Sequence, residues 1–202
     1  MSSDTTRTYD FLLAGIGGQG TILASNVLAE VGLAVGFDAK KAEVHGLSQL
    51  GGSVNTHVRW NYERVYSPLI ALGEADYLVA FEKAEALRYA EFLRLGGKAI
   101  INDQVVLPLT VTSGGEAYPT DEQVKAVYAK LSDDVHFVPG IQIAKELGNA
   151  KVANVVALGA LSNFLPAPKK VWLAVIEACV PQKFVELNQQ AFQRGRKVSA
   201  EW

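Results

Sequence analysis

Cysteine is almost missing from this sequence: Cys179 is the only one in 202 residues. That excludes an internal disulfide framework and any cysteine-ligated iron–sulfur cluster held by this chain alone. Long apolar runs are missing too. The most apolar stretch, 152–165, is interrupted by Asn154, Ser162 and Asn163 and stops at Pro166. It is too short and too polar to span a bilayer. The first ten residues are polar, carry one arginine and lack the apolar stretch of a secretory signal. Neither sign of charge dominates. With 19 Lys and Arg against 21 Asp and Glu, the formal net charge is −2, which argues against a general electrostatic grip on nucleic acid. Together these absences point to a cytoplasmic protein with no membrane and no nucleic-acid partner.

What is present is a core-forming composition, 49% hydrophobic and 20% charged, enough for a globular domain. Glycine is concentrated early. Nine of the 18 glycines fall within the first 52 residues, so that quarter of the chain has unusual backbone demands.

An alternation of strands and helices runs along the chain. Tyr9 to Ala14 is an apolar run that breaks into Gly15-Ile16-Gly17-Gly18-Gln19-Gly20, followed by helix formers from Thr21 to Val31: strand, glycine turn, helix. Phe37 to Val44 carries Asp38, Lys40, Lys41 and Glu43, so a strand there belongs at an edge or a cleft. Val54, Thr56, Val58 and Trp60 alternate with polar residues, marking a half-buried strand expected to turn back into Val65-Tyr66 as a hairpin. Ala75 to Phe81 reads as a buried strand, Glu82 to Leu95 as a helix stopped by Gly96-Gly97, and Lys98 to Asn102 as another strand. Thr120 to Leu131 reads as a helix, with Thr120 and Gln123 spaced as a capping box. Val135 to Val138 is a short strand. Helices over Ala153 to Phe164, Lys169 to Cys179 and Lys183 to Arg194, separated by prolines, finish the chain. The expected fold is a three-layer α/β/α domain with a mainly parallel, Rossmann-like sheet and one antiparallel hairpin. Whether the 153–164 helix is core or subunit interface is left open by its uniform apolarity.

Two glycine-rich loops are the candidate chemistry. Gly15, Gly17 and Gly20 satisfy G-x-G-x-x-G between a strand and a helix. Such a turn lets backbone approach a ligand, and the helix start beyond it offers free N–H groups and a positive dipole. A phosphate or carboxylate fits there, and so does a tight turn with no ligand. Dinucleotide binding also needs an acidic residue ending the second strand. Asp38 comes early and is followed by two lysines, while Glu43 lies further along. The second loop, His45-Gly46-Leu47-Ser48-Gln49-Leu50-Gly51-Gly52-Ser53, brings an imidazole, hydroxyls and an amide onto adaptable backbone. In a parallel sheet, loops at the carboxyl ends of the strands line the ligand crevice. The candidate crevice residues are therefore Gly15, Gly17, Gly18, Gln19, Gly20, His45, Gly46, Ser48, Gln49, Gly51, Gly52 and Ser53. Shaping a bend is the plain alternative for the second loop. No metal site is expected, because His57 and His136 lack ligand spacing and Cys179 stands alone. Glu82 and Lys83 follow a strand end and are either within reach of the crevice or, more simply, a first helical turn; Arg59 reads as an outward solvated residue and Cys179 as core. No catalytic set is legible.

The ordered pair of motifs, Gly15 to Gly20 and Glu43 to Val54, resembles the gamma-type domain of the 2-oxoacid:acceptor oxidoreductases. The His45-Gly46-Leu47-Ser48-Gln49 form is similar to the small subunit of the indolepyruvate:ferredoxin branch. The likeness continues through Asp76 to Glu82, Asn154 to Ala160 and Val180 to Lys183, covering roughly Tyr9 to Gly195. Leu50 departs from it, standing where many relatives carry a basic residue. The resemblance implies a single domain over 1–202 that supports CoA-dependent oxidative decarboxylation of an aryl pyruvate to an acyl-CoA, with electrons passed to ferredoxin. It also implies a large catalytic alpha subunit holding thiamine diphosphate, Mg²⁺ and 4Fe–4S clusters, and coenzyme A as the candidate ligand of this chain. Two other readings are a self-contained NAD- or FAD-dependent oxidoreductase and a non-catalytic scaffold subunit.

Overall fold

The computed structural model describes residues 8–46, 51–107 and 117–202. Tyr9–Ile16 forms β1, buried along seven of its eight residues, as befits an apolar run at the centre of a sheet. Thr21–Ala34 is α1, Asp38–His45 β2 and Ser53–Asn61 β3. Ala75–Ala80 is β4, Lys83–Arg88 α2 and Leu93–Asn102 β5. Asp121–Tyr128 is α3 and Val135–Val138 β6. Four helices follow: α4 (Gly140–Glu146), α5 (Ala153–Leu161), α6 (Lys169–Cys179) and α7 (Val185–Ser199).

The strands form one six-stranded sheet in the order β2-β3-β1-β4-β5-β6. β4, β5 and β6 continue parallel from β1, whereas β3 runs antiparallel to both of its neighbours. This is the mainly parallel α/β/α fold expected, and polar β2 takes the edge. The hairpin, however, is made by β2 and β3, and Val65-Tyr66 is coil. Both edges of β3 are already occupied, by β2 and β1, so a further strand has nowhere to pair. Val65 is held instead by side chains: its N–H donates to Asp38 Oδ2 at 2.7 Å and its carbonyl accepts from Lys40 Nζ at 2.6 Å.

The helix expected over Glu82 to Leu95 is cut short. α2 ends at Arg88, a 3₁₀ turn spans Ala90–Phe92, and Leu93 pairs with Ala75 in the sheet. Good helix formers yield here to burial of Leu93, which is 2% exposed. Gly96-Gly97 is consequently not a helix stop. Gly96 takes φ +69° inside β5, at an irregularity where the register advances two residues along β4 but five along β5. Helix α4 was not foreseen, because Gly140-Ile141-Gln142 follows Pro139 with no capping side chain.

Two cores flank the sheet. One packs β1, β3 and β4 against α1, α5, α6 and α7; the other packs β4 and β5 against α2 and α3. The Thr120–Gln123 capping box is formed as expected. Every residue of α5 is buried, so this stretch is core within the chain. No helix among the described residues is long and apolar enough to cross a membrane.

Candidate functional site

The two glycine motifs meet at the carboxyl end of β1. The Gly17 N–H donates to the Gly52 carbonyl at 2.8 Å, and the Gly51 N–H returns to the Gly17 carbonyl at 3.3 Å. The turn needs backbone that only glycine adopts freely: φ is +102° at Gly18 and +80° at Gly20. Gln19 closes it from inside. Its Oε1 accepts from the Ile16 N–H at 2.8 Å, and its Nε2 donates to the Phe81 carbonyl at 3.3 Å, tying the loop to the end of β4. A Cβ on Gly15 would sit 2.9 Å from that Oε1, so the bare backbone there makes room for Gln19.

Helix α1 has Gly20 at its N-cap, with no capping side chain among the described residues and no acidic residue in its first turn. Its leading N–H groups therefore keep their hydrogen-bonding capacity and positive potential. The Gly20 carbonyl is held by Asn154 Nδ2 at 2.9 Å, a contact across 134 residues. A cleft of about 440 Å³ opens beside this helix start, lined by Gly17, Gly18, Gly20, Ile22, His45 and Val54. His45 and Ile22 are exposed. The arrangement suits an anionic group joined to an apolar body: donors at the loop and helix start, apolar Ile22 and Val54 beside them. A smaller cleft of about 180 Å³ shares Gly18 and is lined by Gln19, Asn102, Gln104 and Lys151.

Not every candidate faces the cleft. Ser53 stands at the same bend, but its hydroxyl bonds the Glu85 carboxylate and lies 2.9 Å from the Tyr89 hydroxyl, toward α2. Gly46 follows His45 at the end of β2, and its carbonyl lies 3.1 Å from the His45 Nδ1. Ser48 and Gln49 lie outside the described residues.

The acidic residue of a dinucleotide site does not appear where it is needed. Asp38 begins β2 at the far end of the sheet and accepts from Val65 N–H. Glu43 is paired with Lys41. Glu82 and Lys83 form the first turn of α2, as expected. The fully buried Glu82 carboxylate accepts from the Ala84 and Glu85 N–H groups at 2.6 and 3.0 Å. It also takes the Val106 N–H at 3.0 Å and the Tyr118 hydroxyl. Burial and this neighbouring carboxylate push the Tyr118 phenol far up. The Lys83 ammonium lies between Asp103 and Asp121, at 2.5 and 2.7 Å.

Arg59 is not a free outward residue. It grips Asp10 in bidentate fashion, Nε to Oδ1 and Nη2 to Oδ2, both at 2.8 Å. Cys179 is half-buried on α6, and burial raises its thiol above the ordinary value. Among the described residues, no three His, Cys, Asp or Glu side chains gather as a metal site. Sequence reasoning missed the roles of Asn154 and Glu85. The early polar residue in the apolar run after Val152 was the available signal for Asn154.

The family model for pyruvate ferredoxin/flavodoxin oxidoreductase matches residues 10–198. Indolepyruvate oxidoreductase subunit IorB of Thermococcus kodakarensis is 36% identical, over 96% of this chain and 98% of its own length. The gamma subunit of a keto/oxoacid ferredoxin oxidoreductase from Geobacter sulfurreducens superposes with a TM-score of 0.72 at 26% identity, covering 96% of this chain and 99% of that one. A 2-oxoglutarate:ferredoxin oxidoreductase from Magnetococcus marinus, with 2-oxoglutarate, coenzyme A and succinyl-CoA bound, superposes with a TM-score of 0.73 at 20% identity. That match covers 97% of this chain but 32% of the longer one, so there the same fold is one part of a larger polypeptide. On the extent of these matches, the chain belongs to the pyruvate ferredoxin/flavodoxin oxidoreductase family.

Proposed function

We propose that this chain is the small, non-autonomous subunit of an indolepyruvate-type 2-oxoacid:ferredoxin oxidoreductase. It forms one gamma-type domain, acts in the cytoplasm, and binds coenzyme A at the cleft between the two glycine loops. The observation that carries the assignment is the end-to-end match to IorB at 36% identity. Thiamine diphosphate, Mg²⁺ and 4Fe–4S clusters belong to a large alpha subunit, since one cysteine cannot ligate a cluster. Bound there, they supply the decarboxylation and electron-transfer chemistry, and ferredoxin is the acceptor of the whole complex.

The part of this chain is binding and orientation. Glycine backbone and the start of α1 are suited to the phosphates of coenzyme A. Ile22 and Val54 give its pantetheine arm an apolar wall, and His45 offers a donor at the rim. A self-contained dinucleotide enzyme is disfavoured by the engagement of Asp38 and Glu43 elsewhere. Co-expression with the large subunit tests the assignment. The chain is expected to co-purify with an iron–sulfur, thiamine-dependent protein, and to be inactive alone. Turnover by the isolated chain overturns it.

A further inference from the structure

Helix α2 is short, and the two glutamates at its start, Glu82 at the cap and Glu85 in the first turn, both face inward, at 0% and 4% exposure. Burying a carboxylate is costly unless every oxygen is used. Glu82 is explained as the cap of α2. Glu85 is not. At the third helical position a glutamate ordinarily reaches back to the capping residue's N–H. Here its oxygens go instead to the Ser53 hydroxyl and to Arg88 Nε, the latter at 3.0 Å. Ser53 also meets the Tyr89 hydroxyl at 2.9 Å. Ser53 directly follows Gly52, whose carbonyl receives the Gly17 N–H. One chain of contacts thus runs from α2 through Ser53 to the bond joining the two glycine loops.

We propose that Glu85 is a positioning residue for coenzyme A: by holding Ser53, it fixes the second glycine loop against the first. It acts from the face of the sheet opposite the cleft and touches no ligand. This rests on the reading that the cleft binds coenzyme A. A buried carboxylate is a stronger acceptor than a neutral group and holds a hydroxyl in one orientation. Gly51 and Gly52, which make the backbone bonds to Gly17, have no side chains to fix their register, so that register depends on a fixed point such as the adjoining Ser53.

Steady-state kinetics on the complex assembled with its large subunit, varying coenzyme A and the 2-oxoacid separately, tests this. Ser53→Ala and Glu85→Ala are each expected to raise KM for coenzyme A about tenfold, the size of one lost charged hydrogen bond. KM for the 2-oxoacid stays within about twofold. Glu85→Gln keeps an acceptor oxygen for Ser53 and restores most of the affinity. The double variant is no worse than Glu85→Ala, because both act along one path. A purely structural role would lower the yield of active complex, and hence apparent kcat, at unchanged KM. If Glu85→Ala does not assemble, Ser53→Ala decides. An unchanged KM for coenzyme A in Ser53→Ala, while His45→Ala and Gly18→Ala raise it, overturns the role of Glu85 alone. An unchanged KM in all of them overturns the coenzyme A cleft itself.

Discussion

A Cβ atom on Gly195 would lie 1.9 Å from the carbonyl oxygen of Val156. Helices α5 and α7 therefore cross with backbone against backbone. The contact is mutual, since a Cβ on Gly159 would lie 2.1 Å from the Phe192 carbonyl oxygen. Neither obstacle is a flexible side-chain tip, so a methyl group at either position must push the helices apart. Gly159→Ala and Gly195→Ala are each expected to cost about 1–3 kcal/mol, as overpacking does. Urea unfolding of the single variants measures this, and midpoints equal to the parent's would contradict it.

The buried histidine gives stability a pH dependence. His57 Nδ1 accepts from the Ile70 N–H at 3.1 Å, which requires a neutral imidazole at that nitrogen. Burial, and then the Arg59 charge, lower its pKa below the ordinary 6.5. The unfolded chain thus binds a proton that the folded chain refuses, and stability falls as pH drops below 6.5. Thermal unfolding followed between pH 7.5 and about 5 is expected to show this loss. His57→Gln, which cannot titrate, is expected to flatten it.

Legibility in the sequence varied with how local the cause was. The glycine turn, the Thr120 cap and the polar edge strand β2 were readable because their causes lie within a few residues. The shortened α2 was not, because pairing of Leu93 with Ala75 overrides a good helical composition. The Val65-Tyr66 strand failed for a related reason: β3 had no free edge, a fact of topology. At the site, the meeting of Gly17 with Gly51 and Gly52 followed from the rule for carboxyl-end loops. The turn of Ser53 toward Glu85 did not, since strand register decides which face a residue takes. The core position of α5 depended on Gly195, 36 residues beyond Gly159, and spacing alone does not connect them.

Arg59 and Asp10 form a bidentate ion pair. Burial pushes the Asp10 carboxyl up while Arg59 draws it down. Removing the guanidinium leaves a carboxylate that is 7% exposed without its partner. Arg59→Ala is expected to cost about 3 kcal/mol at neutral pH. The loss shrinks as pH falls, because a protonated Asp10 tolerates burial. Denaturation curves at two pH values check both the size and the sign, and a pH-independent loss would contradict the account.

Gly20 and Asn154 set the start of α1. Gly20→Ala places a Cβ 2.4 Å from Asn154 Nδ2 at a φ of +80°, costing about 1–3 kcal/mol. Asn154→Ala removes the bond to the Gly20 carbonyl and the one its Oδ1 accepts from the Val155 N–H at 2.9 Å, at about 1–2 kcal/mol together. The double variant is expected to lose less than the sum, since the clash disappears with the amide. Strict additivity in a double-mutant cycle would show that the two residues do not interact.

The most direct measurement of the central claim is reconstitution. The separately purified large subunit is titrated with this chain, and acyl-CoA formation from an aryl pyruvate is followed with ferredoxin as acceptor. Turnover is predicted to appear only when both chains are present, to saturate with coenzyme A, and to weaken when His45→Ala replaces the parent chain. Full coenzyme A-dependent turnover by the large subunit alone, or any turnover by this chain alone, would contradict it.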